Sequence, residues 1–567
     1  MNTKILMLAA MGLLTAGITS SCGDSYFDVS SKTESNSGNY FKTQNDAYYA
    51  LIGCYDGWQR TVSNGPTFCF HYAAELLSDE CLGGTGNGDA RNSQVVDRWD
   101  IGQDNSQVDL YNTLWQYYYQ GIYRCNELLS HQDEIAWTDS TLMGQYMGEA
   151  RAMRAIMYFD LVRLFERVPL LTAPSSENIP QSEPSEIYAQ IVEDLKYAAA
   201  NIPADAYPKA QAAANDGRIT SWAAKAFLAR VYLFYNGVYG GEPGTLTKAE
   251  ALQGLEDVIA SGEYSLIPLY KNLWYCASTH WEADASGTMQ SVSTYAGDGN
   301  AETVLAMKFN YTSDYNGNAG GNNAIQMFSL RGGTFKAPYG QGWGGATVVP
   351  GWKASYPSGD QRAEASIIDI EEEGIYAMAD YQTLAIPDQR EYTGYTNKKY
   401  TARSGYIDGA LTHLYQGLMA GDFQISQPID YVVMRYADVL LMAAELGSSQ
   451  AQTYVNMVHE RAYRLEDGSL AAGYSQIGTS AASILEERRL EFAFEGLRWF
   501  DLRRQDSNGA TAAAAIAAQS GLTVLSGGTS DVVTYNADNI TAKRGFLQIP
   551  LTQIQLTNNV LTQNQGW

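Results

Sequence analysis

The chain has 567 residues, of which 45% are hydrophobic, enough for a large buried core in one elaborate domain or two to three smaller ones. Its formal charge is −25, from 37 basic against 62 acidic side chains, a field of the wrong sign for releasing counterions from nucleic acid. The 40 tyrosines, 11 tryptophans and 53 glycines point instead to a neutral or weakly charged ligand, because Tyr and Trp offer a flat apolar face with a polar edge that suits sugars.

Residues 1–21 read as an export signal. Lys4 supplies a positive start, and the apolar run from Ile5 to Ile18 is too short to span a bilayer as a stable helix. Thr19, Ser20 and Ser21 lead into Cys22, an order that resembles a bacterial lipobox, with Thr19 where leucine is usual. That resemblance implies that Cys22 is acylated, becomes the mature N-terminus and begins a tether over residues 22–43. An ordinary secretory signal followed by an unrelated cysteine is the alternative. No later run approaches the length of a membrane span. Cys54, Cys69, Cys81, Cys125 and Cys276 remain, an odd number, so at least one thiol stays free or pairs between molecules. Their spacing matches no zinc pattern, and scattered cysteines usually serve as small core hydrophobes. Cys69 and Cys81 are near enough for a loop disulfide, which spacing alone leaves open.

Helical periodicity dominates residues 44–265, where QNDAYYALIGCYDGWQRT, VDLYNTLWQYYYQGIYRCNELLS, MGEARAMRAIMYFDLVRLFERVP, PSEIYAQIVEDLKYAAANIP and TSWAAKAFLARVYLFYNG repeat apolar residues every three or four positions. Pro184 and Ser185 open one helix and Pro203 follows its end; Thr220 caps the next and Gly237 is placed to stop it. Large aromatics alternate with alanine, as in WAAKAFLARVYL, a pattern that resembles tetratricopeptide hairpins. Over residues 266–424 the period is lost and glycine mixes with aromatics, as in APYGQGWGGATVVPGWKASYPSGDQR. A long stretch with little regular structure is usually functional or disordered, and its aromatic content argues against disorder. Helices return over residues 425–567, before a last irregular segment. The fold class expected is therefore mostly α, a tetratricopeptide-like hairpin scaffold carrying a large loop-rich ligand-binding region.

Four segments, ARAMRAIMYFDLVRLFERVPL (150–170), MRYADVLLMAAE (434–445), ERRLEFAFEGLRWFDLRR (487–504) and FLQIPLTQIQLTNNVLTQNQGW (546–567), together resemble the SusD/RagB family of outer-membrane nutrient-binding lipoproteins. The resemblance spans nearly the whole mature chain, with Glu166 where the family usually has glycine and Trp567 in place of a terminal tyrosine. It implies a surface-exposed, non-enzymatic lipoprotein that needs no cofactor. Such a protein would capture oligosaccharide or polysaccharide as a hinged lid on a SusC-like TonB-dependent transporter, anchored in outer-membrane lipid through Cys22.

Within residues 488–504, Arg488, Glu491, Glu495, Arg498, Asp501 and Arg504 fall at helical i,i+3 or i,i+4 steps, all but Glu491–Glu495 joining opposite charges. Leu490, Phe492, Phe494, Leu497, Trp499 and Phe500 widen the apolar face beyond one side, so the helix is expected to be buried and its charges paired. Glu491 and Glu495 could instead be a glycosidase acid–base pair. Flanking arginines would keep both ionised, however, whereas a general acid needs a raised pKa.

Other motifs carry less. HERAY at His459 is half of a zinc-protease helix, with Tyr463 where a second histidine should stand. Gly340, Gly342 and Gly345 match G-x-G-x-x-G, but no strand leads in and no helix follows. Asp79, Asn87, Asp89 and Asn92 lie in a Gly-rich acidic loop without EF-hand spacing, so no metal is expected. Loop aromatics are stronger candidates, since a ring flanked by Gly, Asn, Asp and Arg can stack on a sugar while its neighbours bond hydroxyls. Trp99 follows the loop CLGGTGNGDARNS, and Trp274, Trp281, Trp343 and Trp352 populate the irregular region. Trp58, Trp115, Trp222 and Trp499 sit on helical apolar stripes and are expected in the core. In the SusD/RagB family N-terminal loops and the irregular insertion form the ligand site, which implies Trp99 with Arg98, Asn92, Tyr311, Trp343 and Arg362 as partners. Two further functions compete: a lipid-anchored solute-binding protein of another uptake system, which needs two α/β lobes, and a secreted glycoside hydrolase.

Overall fold

The computed structural model describes residues 40–62, 68–209, 217–313, 320–331, 336–375, 388–414 and 424–567; Cys22 and most of the tether lie outside these. The periodic stretches form helices α1 (Gln44–Val62), α2 (Asn112–Ser130), α3 (Ser140–Phe165), α4 (Pro184–Asn201), α5 (Ser221–Tyr239) and α6 (Lys248–Ala260). Their starts follow from local chemistry. Asp139 accepts the amides of Thr141 and Leu142 at the head of α3, and Thr220 Oγ1 accepts the Ala223 amide at 3.0 Å. Pro184 stands at the first turn of α4, where its missing N–H costs nothing. Gly237 does not end α5. The helix runs on to Tyr239 and leaves it at Gly240, φ 74°. At Gly237 a Cβ would lie 2.0 Å from the Arg504 carbonyl oxygen, so glycine there permits a close backbone crossing.

Each helix packs on the next, α1 on α2 through α5 on α6, in the tetratricopeptide-like manner expected. The stack continues into α7 (Tyr436–Glu445), α8 (Ala451–Ala462) and α9 (Ala481–Glu491), with α6 against α7. One core cluster joins Trp58 of α1, Phe159 of α3 and Phe234 of α5 to Trp499 and Phe500. The intervening region is less irregular than its composition indicates. Short antiparallel pairs include 279–283 with 289–293 and 404–407 with 410–413, and buried β1 (Thr303–Met307) pairs with β2 (Tyr431–Arg435), which runs directly into α7. All five described cysteines are buried and reduced, so Cys69 and Cys81 form no disulfide.

The 488–504 stretch is buried, but it is not one helix. After Glu491 the chain turns through Phe494 (φ 63°) and Gly496 (φ 74°) and resumes as α10 (Arg498–Arg503). Buried carboxylates from the N-terminal region receive the amides this break exposes: Gly496 N–H donates to Glu75 at 2.6 Å and Phe494 N–H to Glu80 at 3.3 Å. Of the ion pairs expected along a single helix, Asp501–Arg504 alone forms among the described residues, at 3.0 Å. The other charges find remote partners. Arg488 binds Asp501 and Asp438, Arg498 binds Asp79 at 2.8 Å, and Arg504 also binds Glu445. Glu491 lies among Arg362, Arg435 and Arg461, while Glu495 is held by Arg435 and Lys399.

Burial alone would push the Glu491 carboxyl up, yet Arg461, Arg435 and Arg362 overcome it and hold it at about 2, against 4.5 for an ordinary glutamate. A depressed folded pKa stabilises the fold above the unfolded value and is lost as pH falls towards the folded one. Lowering the pH from about 4.5 to 2 is therefore expected to remove on the order of 3 kcal/mol through this group. Glu487 and Asp501 shift the same way, whereas burial raises Glu80 and opposes them. Thermal melts of the protein and of Glu491→Gln between pH 6 and 2 isolate this contribution, and an equal pH dependence in the two would refute it.

Candidate functional site

Most of the residues singled out from sequence are structural. Trp99, at φ 53°, is 1% exposed, with its ring 4.8 Å from that of Trp499 and 6.5 Å from that of Trp567. It is a core residue, because segments distant in sequence close over its loop. Arg98 is buried, bonding Asp97, Glu391 at 2.7 Å and the Tyr535 hydroxyl at 3.1 Å. Arg362 is fully buried between Asp360, Glu487 and Glu491, which makes it part of the ion network and removes it from any surface site. Trp274 lies buried against Tyr400 and above Lys399, and Trp352 against Phe494 and Arg489. Asn92, Tyr311 and Trp281 are half-buried; the Asn92 side chain accepts the Ser93 amide, and Trp281 packs beside Tyr406. Trp343 is the exposed tryptophan of the set, at 37%.

Three remote segments build the ground around Trp343. Its amide donates to Gln326 O at 2.6 Å, Gly344 N–H to Ser329 O at 2.9 Å and Gly345 N–H to Met327 O at 2.6 Å. Of the glycines that formally match a dinucleotide motif, Gly342 and Gly345 sit where a Cβ would clash with Gln326 O, Ser329 and the Tyr72 hydroxyl, and Gly344 between them adopts φ 66°. Arg331 clasps the turn by donating to Trp343 O at 3.0 Å, and pairs with Asp388 at 2.9 Å. Strand pairing of Thr85–Gly86 with Gln389–Arg390 then brings in the Gly-rich loop 83–91. Gln389 Nε2 donates to Gly344 O at 2.6 Å, and Arg390 donates to the carbonyls of Asn87 and Asp89. Asp89 accepts the Gly86 amide at 2.9 Å and lies beside Arg331, as a Cβ on Gly86 would touch both.

The result is a turn whose backbone is fixed by hydrogen bonds, which presents an exposed tryptophan and has Arg331, Asp388 and Asp89 on its flank. Such a face can stack on an apolar sugar surface and hydrogen-bond hydroxyls at its rim, with little rearrangement on binding. Sequence reasoning included Trp343 but missed Arg331, Asp388 and Arg390, which no local motif connects. Asp79 and Asp89 do not converge, since Asp79 is committed to Arg498, and no metal-binding group of His, Cys, Asp or Glu occurs among the described residues. His459 is buried between Glu487 and Ser475 O.

Comparison with known proteins places this architecture. The SusD family model matches residues 301–567, and a second, described as starch-binding and associating with the outer membrane, matches 72–233. "SusD-like protein P2" of Formosa agariphila is 27% identical over 82% of this chain and 84% of its own length, and "SusD-like protein P38" of the same organism is 24% identical over 88% and 91%. Among solved structures, a laminarin-binding SusD-like protein superposes with a TM-score of 0.67 at 24% identity, covering 93% of this chain and all of its own. Surface glycan-binding protein A of Bacteroides thetaiotaomicron, in complex with laminarihexaose, gives 0.68 at 20% identity, covering 92% of this chain and all of its own. Glu166 also fits this relationship: it holds φ 62° at the end of α3, a conformation that suits glycine, and bonds Arg544 at 2.7 Å. The chain belongs to the SusD/RagB family.

Proposed function

We propose that this protein binds oligo- or polysaccharide on the face around Trp343 and passes it to a TonB-dependent outer-membrane transporter while tethered through acylated Cys22. The exposed Trp343, on a turn whose carbonyl accepts from Arg331 where the paired 85–86 and 389–390 strands meet it through Gln389 and Asp388, is the observation that carries this reading. Relatives whose names record laminarin or glycan binding support the ligand class. Exposed Tyr49, Tyr123 and Leu556, on α1, α2 and the 551–556 helix, and a groove of about 750 Å³ along α2 support a protein partner on a separate surface. A stacked helical scaffold disfavours the two-lobed solute-binding alternative. Glu491, held ionised by three arginines, is unsuited to the general acid of a hydrolase.

Trp343→Ala is expected to weaken glycan binding at least tenfold, since a central aromatic behaves as a hot spot of roughly 2 kcal/mol. The melting temperature should stay near the wild-type value, because Trp343 belongs to none of the buried core clusters among the described residues. Affinity electrophoresis across a polysaccharide panel, followed by calorimetry on the polymer that retards the protein, tests this. Undiminished affinity in the variant would move the site elsewhere, and release of shortened products would favour the hydrolase.

A further inference from the structure

Helix α3 ends on a strained residue. Glu166 holds φ 62°, ψ −66°, and Arg167 N–H donates to Phe165 O at 2.7 Å across it, closing a γ-turn of the rare, strained kind. Arg544, in the C-terminal segment, also has a positive φ, 53°, and its guanidinium meets the Glu166 carboxylate at 2.7 Å. Glycine would relieve either position. Two strained residues that reach each other from distant parts of the chain need surroundings that hold them, and such strain gathers where ligands bind.

Both side chains line one cavity of about 480 Å³, a size ordinary for a small-molecule site. The end of α3 contributes Glu166 and Arg167, the approach to α4 Glu183, and the last turns of α5 Tyr235 and Tyr239. Its two acids and two bases pair off, Glu166 with Arg544 and Glu183 with Arg167 at 3.5 Å, so the wall offers no net charge to a lone cation or anion. All four remain partly exposed. Tyr235 and Tyr239, with ring centroids 5.1 Å apart, add aromatic surface, and the Tyr239 hydroxyl finds no hydrogen-bond partner among the described residues. Asn564 anchors the C-terminal wall, donating to Phe165 O at 2.8 Å and Leu547 O at 2.7 Å.

We propose that this cavity is a second saccharide-binding site, sized for one or two neutral sugar units. It shares no lining residue with the Trp343 face and does not depend on how that face is read. A neutral sugar donates hydroxyl protons to Glu166 and Glu183 and accepts from Arg544 and Arg167, leaving the charge balance intact. Its apolar ring face lies against tyrosine. The strained turn sets the Glu166 carboxylate in this wall. Glycine, usual here in the SusD/RagB family, would supply none, so the site is a property of this chain.

The test uses the full chain carrying Trp343→Ala, which suppresses binding at the other face, and titrates maltose, cellobiose, laminaribiose and lactose by calorimetry and saturation-transfer NMR. At least one disaccharide is expected to bind. Adding Glu166→Gly should weaken it roughly tenfold or more, with a melting temperature at or above that of the parent, because glycine fits the γ-turn. Arg544→Gly should act likewise. Tyr235→Ala keeps both ion pairs and should also lose binding, which covers the case of a glycine variant that fails to fold. A purely structural Glu166–Arg544 pair predicts the reverse, a lowered melting temperature with sugar binding intact. That result, undiminished affinity in Tyr235→Ala, or binding of none of the four disaccharides would overturn the proposal.

Discussion

Replacing Arg435 with methionine is expected to lower the unfolding free energy by about 3–5 kcal/mol, the range for removing one partner of a buried ion network. Arg435 is 3% exposed and bonds three carboxylates: Glu302 at 2.5 Å, Glu491 at 2.9 Å and Glu495 at 2.8 Å. Methionine fills the volume of the stem, so the effect isolates the lost charge. Each glutamate keeps another cation, Arg461 for Glu302 and Glu491 and Lys399 for Glu495, which limits but does not remove the cost. The network gains one net negative charge among side chains no more than 3% exposed. Lys196→Met, in the exposed pair with Glu250, should stay within about 1 kcal/mol of wild type and serves as the control. Denaturant unfolding of both variants decides the matter. A wild-type midpoint for Arg435→Met would mean that the network is hydrated.

The helical scaffold was legible because its information is local. Apolar spacing, Thr220 and Pro184 place α4 and α5 without reference to the rest of the chain. Burial of the 488–504 charges was legible too, since its apolar residues cover more than one helical face. Their partners were not, because Arg435, Arg461, Lys399 and Asp79 reach them across 30 to more than 400 positions. The break at Phe494 and Gly496 has the same origin, as its amides are satisfied by Glu75 and Glu80 from far upstream. Local charge spacing favoured a continuous helix, and tertiary hydrogen bonds outweighed it. Around Trp343, the face depends on Arg331, Asp388 and Gln389, whose meeting is fixed by strand pairing that no local pattern announces.

Trp99→Ala separates a loop tryptophan that binds ligand from one that fills the core. Trp99 and Trp343 are indistinguishable in local sequence, each following a glycine-rich stretch with polar neighbours. The difference lies in what arrives from elsewhere: Trp499 from the broken helical segment and Trp567 from the chain terminus enclose Trp99, and Lys543 donates to its carbonyl at 2.9 Å. Among the described residues no other aromatic ring packs on Trp343, which is 37% exposed. Truncating a fully buried tryptophan costs about 3–5 kcal/mol, from lost transfer energy together with the cavity left behind. The Trp99→Ala protein should therefore melt well below wild type, while at temperatures where it remains folded its glycan affinity stays within a few-fold. Trp343→Ala should show the opposite pattern, an unchanged melt and weakened binding. Measuring both quantities for both variants crosses the two readings. An unchanged melting temperature in Trp99→Ala, accompanied by lost affinity, would return Trp99 to the ligand site and show that its loop opens in solution.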